Sequence, residues 1–81
     1  MTTPTLTLYT KPGCHLCEEA EEVIEAVRTE RRFDLERKNI LDDPADYERY
    51  KHDIPVILLN GREIARHHLT EPQLVEALDR A

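Results

Sequence analysis

The sequence predicts a small α/β domain in which a four-stranded mixed sheet has helices on its faces. Short apolar runs typical of strands alternate with longer runs that have helical periodicity. Cys14 and Cys17 stand where the first strand gives way to the first helix, and Asn60-Gly61 separates the last two strands. The predicted order is β-α-β-α-β-β-α. The sheet is expected to be mixed, because the two strands of a strand–helix–strand unit lie parallel and the late hairpin adds an antiparallel strand.

The first strand and the first helix are predicted on either side of the cysteine pair. Residues 5–9 alternate and include β-branched side chains, which favours a strand. The segment from the motif to about Glu30 has apolar residues at the spacing of an amphipathic helix: Leu16, Ala20, Val23, Ile24 and Val27. The cysteines therefore fall at a helix N-terminus, where unpaired N–H groups and the helix dipole favour an anion such as a thiolate.

The second strand and the second helix follow in the middle of the chain. Residues 33–37, from Phe33 to Arg37, alternate and predict a strand. Asp43 is a favourable N-cap, and a proline at position 44 suits the first turn of a helix. This short helix is expected to carry Tyr47 and Tyr50 on one side.

The last three elements are predicted by an apolar run, a turn and a cap. Residues 56–59, Val-Ile-Leu-Leu, indicate a strand that is buried on both faces. Asn60-Gly61 is a strong hairpin signal, so residues 63–66 are expected to fold back antiparallel. Thr70 and Gln73 have the spacing of a capping box. The apolar face of the last helix is then predicted to contain Leu74, Ala77, Leu78 and Ala81.

Length, charge and cysteine content exclude several classes of protein. With 81 residues, the chain 1–81 is expected to be a single domain, and its net charge of −6 without a basic run argues against nucleic acid as a partner. No segment approaches the length of a membrane span, and we expect no targeting signal. Two cysteines three positions apart do not make a secreted disulfide framework. The expected compartment is the cytoplasm, where such a pair is more often catalytic or metal-binding.

Residues 11–17, Lys-Pro-Gly-Cys-His-Leu-Cys, followed by Ile54-Pro55 and Asn60-Gly61, resemble a glutaredoxin of the thioredoxin superfamily. The likeness extends over nearly the whole chain and includes the order of elements, the position of the motif and the proline before the third strand. It implies a thioredoxin-like fold of the glutaredoxin type and thiol–disulfide oxidoreductase activity.

The resemblance also implies roles for the residues of the motif. Cys14 matches the solvent-facing nucleophile and Cys17 the resolving thiol, and their spacing allows a disulfide to close. Lys11 matches a basic residue that favours the Cys14 thiolate. His15 departs from the more common Pro-Tyr dipeptide, and its protonated form would favour the thiolate further. Four nearby acidic residues oppose this effect: Glu18, Glu19, Glu21 and Glu22.

The remaining site residues lie after the second helix. Pro55 matches the cis-proline of the superfamily, beside which the backbone of Ile54 is expected to pair with an extended substrate. Residues 65–71, Ala-Arg-His-His-Leu-Thr-Glu, replace the Gly-Gly and Asp with which glutaredoxins bind the glutamyl end of glutathione. Use of glutathione as a co-substrate therefore depends on Arg66 or His68 meeting a carboxylate, and weak binding is expected. No bound cofactor is expected.

A metal hypothesis arises from His67 and His68. Together with Cys14, Cys17 and His15, one of them would complete a set of four zinc ligands, and an iron–sulfur cluster is a further alternative for the same thiols. Adjacent strand residues point to opposite faces, however, and a Cys pair by itself does not close a tetrahedral site. We therefore expect no bound metal and two partly exposed histidines at the end of the fourth strand.

The sequence thus predicts a monomeric oxidoreductase in which Cys14 attacks a disulfide and Cys17 resolves the intermediate. Its expected partners are a disulfide-containing protein or small molecule and a reductase or thiol donor. Two other functions stay open: a metal- or cluster-binding module that uses the same thiols, and an interaction protein that keeps the fold without turnover.

Overall fold

The computed structural model describes residues 3–81, and its elements follow the predicted order. A short 3₁₀ turn, which the sequence did not predict, links the second strand to the second helix at Ile40–Asp42. The helices and strands are β1 Thr5–Thr10, α1 His15–Arg28, β2 Asp34–Asn39, α2 Pro44–Tyr50, β3 Val56–Leu59, β4 Arg62–Arg66 and α3 Glu71–Arg80. Among the described residues, no helix is both long enough and apolar enough to cross a membrane.

The four strands form one mixed sheet in the order β2-β1-β3-β4. β1 pairs with β2 in parallel, whereas β1 with β3 and β3 with β4 are antiparallel. β3 is therefore an inner strand, and three of its four residues are buried, the exception being Leu58. This burial confirms the interpretation of the continuous apolar run, since an inner strand covered on both faces has no polar side to present.

One face of the sheet packs against α1 and α3 and forms the larger core. Leu6 and Leu8 of β1 point to this face and are fully buried, as is Ile24 of α1. The alternation of β1 and the helical spacing of α1 bring these side chains together. The buried members of this core are Leu6, Leu8, Ala20, Ile24, Val27, Phe33, Ile57, Leu59, Ala65, Leu69, Leu74 and Leu78.

The second face is covered by α2 and carries a smaller core next to the cysteines. Its buried members are Tyr9, Cys17, Ile40, Tyr50, Ile54 and Val56. The rings of Tyr9 and Tyr50 lie 4.5 Å apart between centroids. Tyr47 was predicted on the same side as Tyr50, but 37% of it is exposed. α2 has only seven residues, so a single tyrosine reaches the sheet.

Caps and turns define most of the element boundaries. The Asp43 carboxylate accepts a hydrogen bond from the Ala45 N–H at 2.9 Å, and the Thr70–Gln73 capping box is complete. Asn60 and Gly61 have φ angles of 51° and 83°, as a two-residue type I′ hairpin requires. Several predicted positions were wrong in detail. β2 covers Asp34–Asn39 instead of residues 33–37. α1 ends at Arg28 instead of near residue 30, and Ala81 is exposed beyond the end of α3.

The pairing of β3 with β4 contains an irregularity that matters for the site. Ile57 faces Ala65, but Leu58 faces Glu63, so Ile64 is an extra residue in β4. A β-bulge of this kind shifts the alternation of the strand by one position. Residues 63 and 66 would otherwise point to opposite faces, and the bulge brings them to the same one.

Candidate functional site

The two cysteines are joined by a disulfide at the N-terminus of α1. Cys14 is the N-cap, with extended backbone angles, and Cys17 lies in the first helical turn. Their Cα atoms are 5.2 Å apart, and the Cys17 N–H donates a hydrogen bond to the Cys14 Sγ at 3.2 Å. The helix therefore directs a free N–H toward the sulfur of Cys14, as it would toward any N-cap acceptor.

The turn before Cys14 has a simple local cause. The Cys14 N–H donates to the Lys11 carbonyl at 3.3 Å, and Gly13 has a φ angle of 78°. A turn with proline at its second position and a left-handed third residue is of type II, and glycine adopts that conformation without strain. The Pro-Gly pair thus brings the chain from β1 directly into the cap.

The two sulfurs differ in their exposure to solvent. Cys17 is 3% exposed and belongs to the smaller core with Tyr9, Ile54 and Val56. Cys14 is half-buried and packs against the edge of that core. Of the pair, Cys14 is the sulfur that another molecule can reach, whereas Cys17 can reach only its partner without movement of the chain.

A surface cavity of about 290 Å³ lies beside the disulfide and brings Lys11 next to it. Arg37 of β2 lines the same cavity and donates hydrogen bonds to the carboxylates of Glu21 and Glu25. Lys11 is exposed and has no carboxylate partner within residues 3–81. Because Arg37 is neutralised, Lys11 is the cation that remains available near Cys14.

Sequence reasoning did not find Arg37. Its partner Glu21 was visible as a residue four positions after Cys17, on the same side of the helix. The parallel pairing that aligns Leu8 of β1 with Arg37 is a long-range feature, and nothing near position 37 in the sequence signals it.

His15 is the first residue of α1, and its side chain is 83% exposed. Its Nδ1 atom lies 3.7 Å from the carboxylate of Glu18, whose side chain is 72% exposed. A protonated His15 would therefore act on a Cys14 thiolate through a charge that Glu18 partly cancels. Solvent also screens both groups.

The Ile54–Pro55 peptide bond is cis, and both residues are buried. The Ile54 N–H donates to the Tyr50 carbonyl at 3.1 Å. The sequence predicted that the backbone of Ile54 is free to pair with an extended substrate, but the N–H is already hydrogen-bonded. Only its carbonyl is without a hydrogen bond in the described part of the chain, since α2 ends close enough to take up the N–H.

The segment that departs from glutaredoxins is held by ion pairs. Arg66 donates two hydrogen bonds to Glu63, at 2.7 and 2.9 Å, and its guanidinium lies 3.3 Å from Asp53. The hydrogen bonds from Arg66 hold the pKa of Glu63 below its usual value. Arg66 is thus already neutralised by two carboxylates. It is a poor partner for the carboxylate of a further molecule.

The two histidines occupy different positions. His67 has a φ angle of 68°, donates its N–H to the Pro55 carbonyl at 2.8 Å and places Nε2 3.7 Å from Asp53. His68 is exposed. Both follow β4, which ends at residue 66, so the expectation that they lie at its end is close to what is observed. Residues 3–81 contain no group of three or more His, Cys, Asp or Glu side chains arranged to hold a metal ion.

A mixed sheet of this topology, with a Cys-x-x-Cys pair at the N-terminus of its first helix, defines a protein of the thioredoxin fold. The structure of a mutant thioredoxin from Halobacterium salinarum is similar, with a TM-score of 0.72. The similarity covers 98% of this chain and 74% of that thioredoxin, at 15% sequence identity. It shows the fold.

Residues 5–79 match the family described as Glutaredoxin-like domain (DUF836), and the chain belongs to this family. A Glutaredoxin-like protein YDR286C homolog from Dictyostelium discoideum is 30% identical over 77 residues, which are 88% of this chain and 71% of that protein. The X-ray structure of the X. campestris target protein XcR50 has a TM-score of 0.78 and 34% identity, over 94% of this chain and 97% of that one. The glutaredoxin-like resemblance and the predicted fold are therefore confirmed.

Proposed function

We propose that this protein is a thiol–disulfide oxidoreductase that reduces or exchanges disulfides of a protein or small-molecule substrate. The observation that carries the proposal is the unequal exposure of the two linked cysteines at the N-terminus of α1. Cys14 is half-buried at the cap, and Cys17 is buried one turn further on. The family membership supports a redox role in general terms.

The reaction starts from the reduced dithiol. The Cys14 thiolate attacks one sulfur of the substrate disulfide, a mixed disulfide forms, and the first substrate thiolate leaves and takes up a proton. Cys17 then loses its proton and attacks the Cys14 sulfur. This second step releases the other substrate thiol and closes the Cys14–Cys17 bond. The substrate gains two electrons and two protons, and an external dithiol or reductase must restore the protein.

The surroundings of the disulfide assist the first step in two ways. The N-terminus of α1 and the nearby ammonium of Lys11 favour negative charge on Cys14. The Ile54 carbonyl is available to accept one hydrogen bond from the backbone of an extended substrate next to the cis-proline. His15 contributes little, because Glu18 lies beside it.

The proposal extends to the electron donor and to the state of the protein. It needs no bound cofactor, and it assigns re-reduction to a reductase or small dithiol with glutathione as a poor donor. The neutralised Arg66 supports the last point. We propose that the protein is a monomer and that it is located in the cytoplasm. The reducing conditions there would keep a dithiol with one accessible sulfur active.

The roles of the two sulfurs are tested with Cys14→Ser and Cys17→Ser. Assayed with the disulfide of 2-mercaptoethanol and dithiothreitol as donor, the wild type should turn over and Cys14→Ser should be inactive. Reduced Cys17→Ser, treated with the same disulfide in the absence of dithiothreitol, should instead accumulate a mixed disulfide at Cys14, visible by intact-mass spectrometry as the added mercaptoethanol.

Alkylation of the reduced wild type supplies an independent measurement, because the modified cysteine is identified by peptide mapping. Cys14 should react first. Faster modification of Cys17 would reverse the assignment. A reduced protein that carries stoichiometric zinc or iron, with silent thiols until a chelator is added, would support the metal-binding alternative instead.

A further inference from the structure

A groove of about 510 Å³ runs along α1 on the side away from Lys11. One wall consists of α1 residues spaced by three and four, and the other is the segment between β4 and α3. The groove is lined by Leu16, Glu19, Ala20, Glu22, Val23, His68, Leu69 and Thr70. Its apolar floor is partly open to solvent, since Leu16 and Val23 are only half-buried.

The groove begins close to the proposed redox site along the chain. Leu16 lines the groove and stands between the two cysteines, two residues after Cys14. A polypeptide whose disulfide is in contact with Cys14 therefore has neighbouring residues within reach of the groove.

The two flanks of α1 differ in charge. On the flank next to β2, Glu21 and Glu25 are paired with Arg37. On the groove side, Glu19 and Glu22 line the rim, and neither has an ion-pair partner anywhere in residues 3–81. The chain as a whole has a net charge of −6, so this rim lies in a negative field.

From these observations we infer that the groove docks the protein substrate, and that the substrate segment next to the reacting cysteine is apolar and basic. An apolar side chain covers Leu16 and Val23, and lysine or arginine residues on either side face Glu19 and Glu22. The inference rests on the proposed function, because it concerns the substrate of the same cysteines. It also agrees with poor use of glutathione, which is small and anionic and offers no such segment.

Two peptides of equal length test the inference. In each, one cysteine is linked by a disulfide to 2-mercaptoethanol, and its neighbours are either leucine and lysine or leucine and glutamate. The reduced protein gives two electrons to the peptide disulfide and ends as the Cys14–Cys17 disulfide, so a single turnover needs no further reductant. The measured quantity is the ratio of the rates with the lysine and glutamate peptides.

The wild type should prefer the lysine peptide by about tenfold at low ionic strength, and high salt should reduce this ratio. Glu19→Gln with Glu22→Gln should lower the ratio to about two, because the charges that face the peptide are removed. A control variant, Glu30→Gln with Asp34→Asn, removes the same charge from two exposed positions, one after α1 and one at the start of β2, and should keep the wild-type ratio. Replacing the leucine of the lysine peptide with serine should slow the reaction.

Several results would overturn the inference. One is a wild-type ratio near one, and another is an equal fall of the ratio in both variants, which would assign the preference to net charge alone. An unchanged rate for the serine peptide would show that the apolar floor is not used. The proposed function is examined separately with the disulfide of 2-mercaptoethanol. Failure to reduce this small neutral compound contradicts the redox proposal, whereas its reduction without any peptide preference contradicts the docking surface only.

Discussion

Cys14 and Cys17 are three positions apart, yet their surroundings differ. Cys14 is the N-cap with an extended backbone, and its sulfur lies at the end of α1 and is only half-buried. Cys17 faces the sheet and is buried against Tyr9 and Val56. The position of the pair at a predicted helix start favoured a reactive thiolate. The difference in burial depends on which side of α1 packs against the sheet, and the apolar periodicity of the helix already predicted that side.

Lys11 is the residue whose role near the site is simplest to test. Lys11→Gln removes a cation that lines the cavity beside the disulfide and has no carboxylate partner in residues 3–81. An exposed charge of this kind contributes ~0.2–1 kcal/mol, so alkylation of reduced Cys14 at neutral pH should slow by about 1.4- to fivefold. The rate is measured with iodoacetamide, which is uncharged. Arg62→Gln, which removes a cation from the β3–β4 hairpin, serves as the control and should leave the rate unaltered.

At the scale of the elements, the chain is organised by short local signals that agree with one another. The Pro-Gly turn, the Asp43 cap, the Asn60-Gly61 hairpin and the Thr70 capping box each involve residues within four positions. For that reason they could be predicted from the sequence. The bulge at Ile64 could not, because it arises from the register of β4 against β3, which is a property of the assembled sheet.

The capping box gives a prediction for the stability of α3. Thr70→Ala removes the side-chain oxygen that accepts a hydrogen bond from the Gln73 N–H in the first turn of the helix, and this N–H then lacks its protein acceptor. The free energy of unfolding should fall by about 1 kcal/mol, which in a domain of this size lowers Tm by about 4–8 °C. Thermal unfolding followed by circular dichroism measures this. Thr70→Ser keeps the hydroxyl and should retain most of the stability; equal losses in both variants would show that the cap is not the cause.

The ion pair created by the bulge predicts a dependence on pH. Hydrogen bonds from Arg66 lower the pKa of Glu63 from its ordinary value of 4.5. A carboxyl group with a lowered pKa stabilises the fold above its ordinary pKa, and this contribution is lost as the pH falls through the lowered value. Glu63→Gln should therefore destabilise the protein at neutral pH by less than about 1 kcal/mol, since both side chains are partly exposed.

Urea unfolding of Glu63→Gln and of the wild type, at about pH 7 and about pH 2.5, measures this effect. The difference between the two proteins should be present at the higher pH and absent at the lower one. A difference that persists in acid would assign it to lost packing and not to the charge.

At the scale of the whole molecule, the site is assembled from parts of the chain that are distant in sequence. The motif at the start of α1, the cis-proline before β3 and the segment after β4 meet at one end of the sheet. His67 is hydrogen-bonded to Pro55, and Asp53 lies close to both His67 and Arg66. These contacts hold the segment after β4 against the residues around the cis-proline.

Poor use of glutathione is the prediction that depends on this assembly. A glutathione site needs a cation, backbone pairing and a cradle for the glutamyl end. Here Arg66 is neutralised by Glu63 and Asp53, and Ile54 offers only its carbonyl. Loss of one charge-assisted contact costs ~1.5–3 kcal/mol, so half-saturation by glutathione should lie about one to two decades above that of a well-characterised dithiol glutaredoxin.

Steady-state kinetics with glutathione as sole donor, with such a glutaredoxin assayed alongside, tests this point. Dithiothreitol should support turnover in both proteins, which controls for an inactive preparation. Matching turnover and half-saturation with glutathione would show that another residue, such as His68, forms the missing cradle.

The sequence by itself determined the order of the elements, their caps and turns, and the position of the cysteine pair at a helix start. Each of these depends on neighbours along the chain, so a short window of residues contains the information. Only the tertiary structure decided that Arg37 pairs with Glu21 and that Asp53 and Glu63 together neutralise Arg66. These contacts join residues up to sixteen positions apart, as Glu21 and Arg37 are. Strand register, the bulge and the packing of α2 bring them together, because the sheet aligns residues that no local pattern relates.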